Sequence, residues 1–300
     1  MKKISPISLK DKIVYIKNVV VDFIKRFYKI MYEQDVLFLA SGIAFNGVLC
    51  LIPILLLFTS VLGIVLNSSE LAVQKIEQII KAAFPDQQYT LHIKNSIQQM
   101  IKDIIAYRKS FGLAGLAVLT WTATFLFSSL RTALNKVYRI KPTKLVILTI
   151  LEDILWVIII GLLFLTIIFT TWVYSLIETL LELISGFAAF DFSIFEAAFS
   201  IIASLILTFI MFYLVYRFIP DQRVKSKVAA ISASTSTVLW FIAAKIFAWY
   251  ISTFQSFDKL YGTYAFILVL LIWIYYSSLV FLIGGVVGGV VREKESEKNN

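Results

Sequence analysis

A chain of 300 residues with 59% apolar residues, 16% charged residues and a mean hydropathy of +0.85 has too little polar surface to clothe a globule in water. One cysteine, Cys50, excludes a disulfide framework or thiolate metal cluster, and one histidine, His92, excludes a multi-histidine metal centre, so no metal or other cofactor is expected. What remains is a polytopic membrane protein, whose formal net charge of +9 has to be read along the chain.

Within residues 1–37, Ile13, Ile16, Val20, Phe23, Ile24, Phe27 and Ile30 recur at helical spacing, with Lys17, Asn18, Asp22, Lys25 and Lys29 largely opposite. That predicts an amphipathic helix in the cytoplasmic headgroup layer, serving as an anchor or as a docking or regulatory helix. It lacks the compact apolar stretch and small-residue cleavage site of a signal peptide.

A hydrocarbon core of ~30 Å needs about 20 helical residues. Six stretches reach that length: 38–66, 111–130, 146–176, 197–216, 228–251 and 263–291. None alternates strictly, so helices are favoured over barrel strands. The expected fold is therefore all-α: a six-span transmembrane domain over 38–291, followed by a charged cytoplasmic tail at 292–300. Between the first two spans, residues 67–110 form an outer insert with two apolar stripes (Ile76, Ile79, Ile80, Ala83, then Ile97, Ile101, Ile104, Ile105) separated by Phe84-Pro85-Asp86. These read as amphipathic helices on the membrane or over an outward cavity. His92, beside the break, reads as a surface residue.

Basic residues orient the chain. With the N-terminus inside, cytoplasmic segments hold 20 of the 28 Lys and Arg, whereas 177–196 has four acids and no base. This predicts N-in and C-in. The charges flank separate spans and do not gather in one groove, so no nucleic-acid partner is expected; membrane lipids are.

Polar residues inside spans are costly and tend to face the bundle interior. Asn46 and Pro53 interrupt the first span, as a kink with a bonded Asn or as a broken helix lining a substrate path. Ser232, Ser234, Thr235, Ser236 and Thr237 form a hydroxyl cluster in the fifth span, best read as close packing. Lys245 lies deeper in that span, with its ammonium snorkelling outward or acting as an internal counter-charge. Gly284, Gly285, Gly288 and Gly289 make two overlapping GxxxG patterns, suited to intramolecular packing or to a homo-oligomeric seam through the last helix. At the inner end of the second span Ser128, Arg131 and Asn135 share a helical face. Glu152 and Asp153 enter the third span from the same side. An antiparallel hairpin would set Arg131 level with one of these acids, as a locking salt bridge, a gated ion pair or an anion-binding Arg with a counter-charge.

Four stretches together resemble a known family. They are Ala44-Phe45-Asn46-Gly47-Val48-Leu49-Cys50-Leu51-Ile52-Pro53; Trp121 with Phe127-Ser128-Ser129-Leu130-Arg131-Thr132-Ala133-Leu134-Asn135; Phe218-Ile219-Pro220-Asp221; and Tyr261-Gly262 with Leu271-Ile272-Trp273-Ile274-Tyr275 and Leu282-Ile283-Gly284. Their order and spacing, from about residue 35 to 290, resemble the YihY / virulence factor BrkB family of bacterial inner-membrane proteins, which once carried the label ribonuclease BN. An acidic residue often follows the last motif in that family; here the region reads Gly285-Val286-Val287. The resemblance implies a six-span inner-membrane protein, with proposed roles in envelope or lipid transport and in cation–proton exchange. Nuclease chemistry fails on the residues: one histidine and one adjacent acidic pair, whose side chains point about 100° apart on a helix, cannot assemble a metal centre. A non-enzymatic transporter of a lipid or lipid-linked anionic substrate is expected, with a cation/proton antiporter or a non-transporting scaffold as alternatives.

Overall fold

A computed structural model describes residues 9–68, 90–141, 147–163, 166, 193–253 and 263–299, and every described element is helical. In chain order they are α1 (Leu9–Glu33), α2 (Val36–Leu49), α3 (Leu51–Ser68), α4 (Thr90–Val137), α5 (147–163), α6 (Ser193–Phe218), α7 (Ser226–Thr253) and α8 (Thr263–Asn299). Among the described residues, four helices are long and apolar enough to cross a membrane: Val36–Ile64, Lys102–Val137, Ser226–Tyr250 and Ile267–Lys298. Ile202–Phe218 is a shorter apolar helix. The expected third span, 146–176, and the outer insert, 67–110, lie in part outside the described residues. The chain divides into two compact units, one of residues 45–126 and one of residues 1–44 with 127–300.

In the smaller unit the break between α2 and α3 falls at Cys50. Its N–H is shared between the carbonyls of Asn46 and Gly47, at 3.3 and 3.2 Å. Pro53 explains the position: it lacks an N–H and its ring clashes with the carbonyl four residues back, so it is tolerated in the first turn of a new helix and not in mid-helix. Downstream, α3 runs antiparallel to α4 along a seam of small residues. Ser60 Oγ donates to the Arg108 carbonyl at 2.6 Å, and a Cβ on Gly63 would sit 2.6 Å from the Ile104 carbonyl oxygen.

One helix crosses residue 110, where the sequence set the boundary between outer insert and second span. α4 runs 48 residues without a break, about 72 Å at 1.5 Å per residue, far longer than the ~30 Å hydrocarbon core. α4 ends in a Schellman motif: Arg139 N–H bonds the Lys136 carbonyl, Ile140 N–H bonds the Asn135 carbonyl, and Arg139 takes a left-handed φ of 52°. A non-glycine residue there costs roughly 1–2 kcal/mol.

In the larger unit α6, α7 and α8 pack as an apolar core. Tyr216 and Phe281 stack with centroids 4.9 Å apart, and Phe212 meets Trp240 edge-on at 6.3 Å. The glycine patterns of α8 are filled from within the chain. A Cβ on Gly284 would overlap Ser236 Oγ, one on Gly288 would overlap Ser232 Oγ, and one on Gly289 would sit 3.0 Å from the Val137 carbonyl oxygen. Both serines are fully buried. Ser232 shares a hydrogen bond with Tyr138 Oη at 3.0 Å, and Ser236 bonds Tyr216 Oη.

α8 continues as a helix through the expected tail to Asn299 and meets α1 there. Arg26 Nη1 donates to Glu297 at 2.7 Å while its Nε reaches Asp22 at 3.0 Å. Lys294 pairs with Asp22 at 2.9 Å. Arg139 joins this network through Glu33 at 2.9 Å and Glu293 at 3.2 Å, which ties its left-handed turn to both helices. Ile30 is buried beneath the ion pairs, whereas Val20, Ile24 and Tyr28 on α1 are exposed. Lys294 first and then Arg26 hold the Asp22 carboxyl below its ordinary range.

Candidate functional site

The densest buried charge lies in the larger unit, where α4, the start of α5 and the α6–α7 connection meet. Arg131 stands two turns before the end of α4, with its side chain 7% exposed. It grips Asp153 with both ends of its fork: Nη1 donates to Oδ2 at 3.0 Å and Nη2 lies 2.7 Å from Oδ1. Asp153 is 2% exposed. The first contact is a charge-assisted hydrogen bond, and the second is a close ion pair without hydrogen-bond geometry. The remaining donor, Nε, bonds the Ile219 carbonyl at 3.1 Å and lies 3.5 Å from Asp221 Oδ1. Glu152 stands at the rim, 3.6 Å from Nη2, with a 37% exposed side chain.

Asn135, one turn after Arg131, holds Asp221 by a reciprocal pair. Its Nδ2 donates to Asp221 Oδ2, and its Oδ1 accepts from the Asp221 backbone N–H, both at 3.1 Å. Asp221 is 4% exposed, and Pro220 beside it is also buried. The connection after α6 is thereby pinned to α4. Two buried carboxyl groups share one guanidinium, so acidic groups outnumber basic ones at this centre.

The structure thus brings together Arg131, Asn135, Asp153 and, at the rim, Glu152. It adds Asp221, which the sequence showed only as the last letter of a motif. Ser128 shares the helical spacing but is exposed. Lys245 is exposed on α7, nineteen residues past Ser226 or about 29 Å along the helix, and does not join the cluster. Asn46 and the fully buried Pro53 belong to the smaller unit. Gly284, Gly285, Gly288 and Gly289 are buried, with their face taken up within the chain. Tyr138 and Tyr216 were not anticipated; a tyrosine in an apolar run signals that its hydroxyl needs a partner. His92 carries no described side chain. Among the described residues no group of three or more His, Cys, Asp or Glu is placed to hold a metal ion.

Several apolar helices of spanning length define a multi-pass helical membrane protein. A family model described as Virulence factor BrkB matches residues 27–300, and the chain belongs to that family. It is 31% identical to a UPF0761 membrane protein of Glaesserella parasuis over 67% of this chain and 69% of the relative. A UPF0761 membrane protein of Psychromonas ingrahamii is 27% identical over 95% of each chain. One from Pseudoalteromonas atlantica is 24% identical over 92% of this chain and 89% of its own. No solved structure matches. The protein is a multi-pass member of this family in the bacterial inner membrane.

Proposed function

We propose that the protein is an inner-membrane transporter with six spans, both termini inside, and that the Arg131 cluster is its ion-coupling centre. One observation carries the reading: Asp153 and Asp221, both buried, are served by a single guanidinium. Burying two carboxylates on one cation leaves a charge that a proton or small cation neutralises at lower cost than the protein alone. Carboxylates of this kind mark proton and cation pathways in membrane helices. An anionic lipid headgroup at Arg131 would have to displace Asp153 and lie against Asp221, so the geometry favours cation or proton exchange over a headgroup contact at this residue. A pure scaffold would gain nothing from the excess charge.

The test is reconstitution into vesicles with an entrapped pH-sensitive dye, challenged with sodium or potassium gradients. Wild type should move protons against the added cation, and Asp153→Asn and Asp221→Asn should each stop it. Equal dye responses in wild type, both variants and empty vesicles would end the coupling proposal.

A further inference from the structure

The α6–α7 connection holds a second, oppositely charged feature. Four basic residues lie between 217 and 227. Lys225 and Lys227 reach Glu295, at 3.6 and 3.3 Å. Arg217 and Arg223 have no acidic partner among the described residues. Both guanidinium groups lie over the same ring, that of Phe218, at 5.4 and 5.8 Å from its centroid. Trp156 on α5 packs against that ring at 5.7 Å. Two like charges are therefore held around one aromatic ring, with no ion pair to either among the described residues.

Arg217 is also incompletely satisfied. One nitrogen, Nη1, donates to Tyr213 Oη at 2.6 Å and to Ser226 Oγ, whereas its buried Nε has no hydrogen-bond partner. A guanidinium edge with a free N–H and two hydroxyls beside it matches the oxygens of a phosphate. The surroundings argue for a lipid as its bearer. Trp, Tyr and Arg together at a helix end are the composition of the headgroup layer. Leu155 and Ile158, flanking Trp156 on α5, are exposed apolar side chains, 55% and 54% accessible, against which acyl chains can lie.

We propose that Arg217 and Arg223, braced on Phe218 and Trp156, bind the phosphodiester headgroup of an anionic lipid. The site uses none of the Arg131 cluster, so it stands whether or not that cluster couples ions. It also relocates anion recognition from a neutralised arginine to two that lack acidic partners.

Purified full-length protein is titrated with phosphatidylglycerol, phosphatidylcholine and soluble glycerol phosphate, read by native mass spectrometry and by lipid-induced shift in Tm. Wild type should prefer phosphatidylglycerol over phosphatidylcholine. Each of Arg217→Gln and Arg223→Gln should weaken that preference about fivefold, the effect of one basic residue at an anionic surface. Lys227→Gln, already paired with Glu295, should weaken it less. Arg223 is exposed and makes only the ring contact, so its variant keeps the fold even if Arg217→Gln does not. An unchanged lipid preference in Arg223→Gln refutes the site. Glycerol phosphate binding as tightly as the lipid refutes the lipid as its ligand.

Discussion

Removing the Arg131 guanidinium is the most informative perturbation of the buried cluster, because its three acidic neighbours differ in distance and burial. In Arg131→Ala, Asp153 loses a two-point partner at 2.7 and 3.0 Å while only 2% exposed. Stranding one partner of a buried pair costs about 3–5 kcal/mol. Asp153→Asn in the same background removes the stranded charge, and coupling between contacting residues of this kind returns about 1–3 kcal/mol. Asp221 should couple less strongly, since it lies 3.5 Å away and keeps both bonds to Asn135. Glu152, 37% exposed at 3.6 Å, should couple by about 0–1 kcal/mol, as exposed pairs do. The order Asp153, Asp221, Glu152 is thus a structural prediction. Double-mutant cycles with Asp153→Asn, Asp221→Asn and Glu152→Gln measure it, by SDS titration in mixed micelles followed by tryptophan fluorescence. Strict additivity for Arg131 with Asp153, or stronger coupling to Glu152, would refute the assignment.

Three further outcomes are expected. Gly284→Ala and Gly288→Ala, whose new methyl groups would overlap Ser236 and Ser232, should each cost about 1–3 kcal/mol in the same titration. Gly42→Ala, with nothing within 4 Å of its Cβ, should instead gain about 0.5–1 kcal/mol from helix propensity. The Asp22 pairing should respond to acid with a defined sign: a carboxyl held low contributes fully above its ordinary value near 3.9 and loses that contribution as pH falls through its lowered value. Proteolysis of α1 should therefore be flat from pH 8 to 5 and accelerate only below about 4. In a Cys50→Ser background, a cysteine at Ser193 should label with an impermeant reagent from outside intact cells and one at Ser226 should not; the reverse pattern would invert the orientation.

What the sequence revealed follows from how local each signal is. Apolar runs are contiguous, so the spans centred on α2–α3, α4, α7 and α8 are visible without any knowledge of packing. The Arg131–acid pairing was visible too, because a short connection between α4 and α5 constrains both partners to one level. Which acid pairs was hidden, since Glu152 and Asp153 differ by about 100° in direction and only the packed helix decides which faces inward. Asp221 was hidden because it comes from a connection 90 residues after Arg131. The serine cluster and the glycine patterns were each noticed alone; their match, Ser236 with Gly284 and Ser232 with Gly288, needs the antiparallel register of α7 and α8. The left-handed turn at Arg139 carries no glycine to announce it.

The charged contacts between α1 and the far end of α8 impose an order on biogenesis. Every partner of Arg26 and Lys294 across that junction is separated by more than 260 residues of chain. While the intervening helices are being inserted, α1 has no Glu297 to hold it, and Val20, Ile24 and Tyr28 are exposed along it even in the finished fold. Ile30 packs beside Gly289 near the other end of the chain. The junction therefore forms last, and a nascent chain halted before residue 289 should leave α1 unpaired and open to proteases.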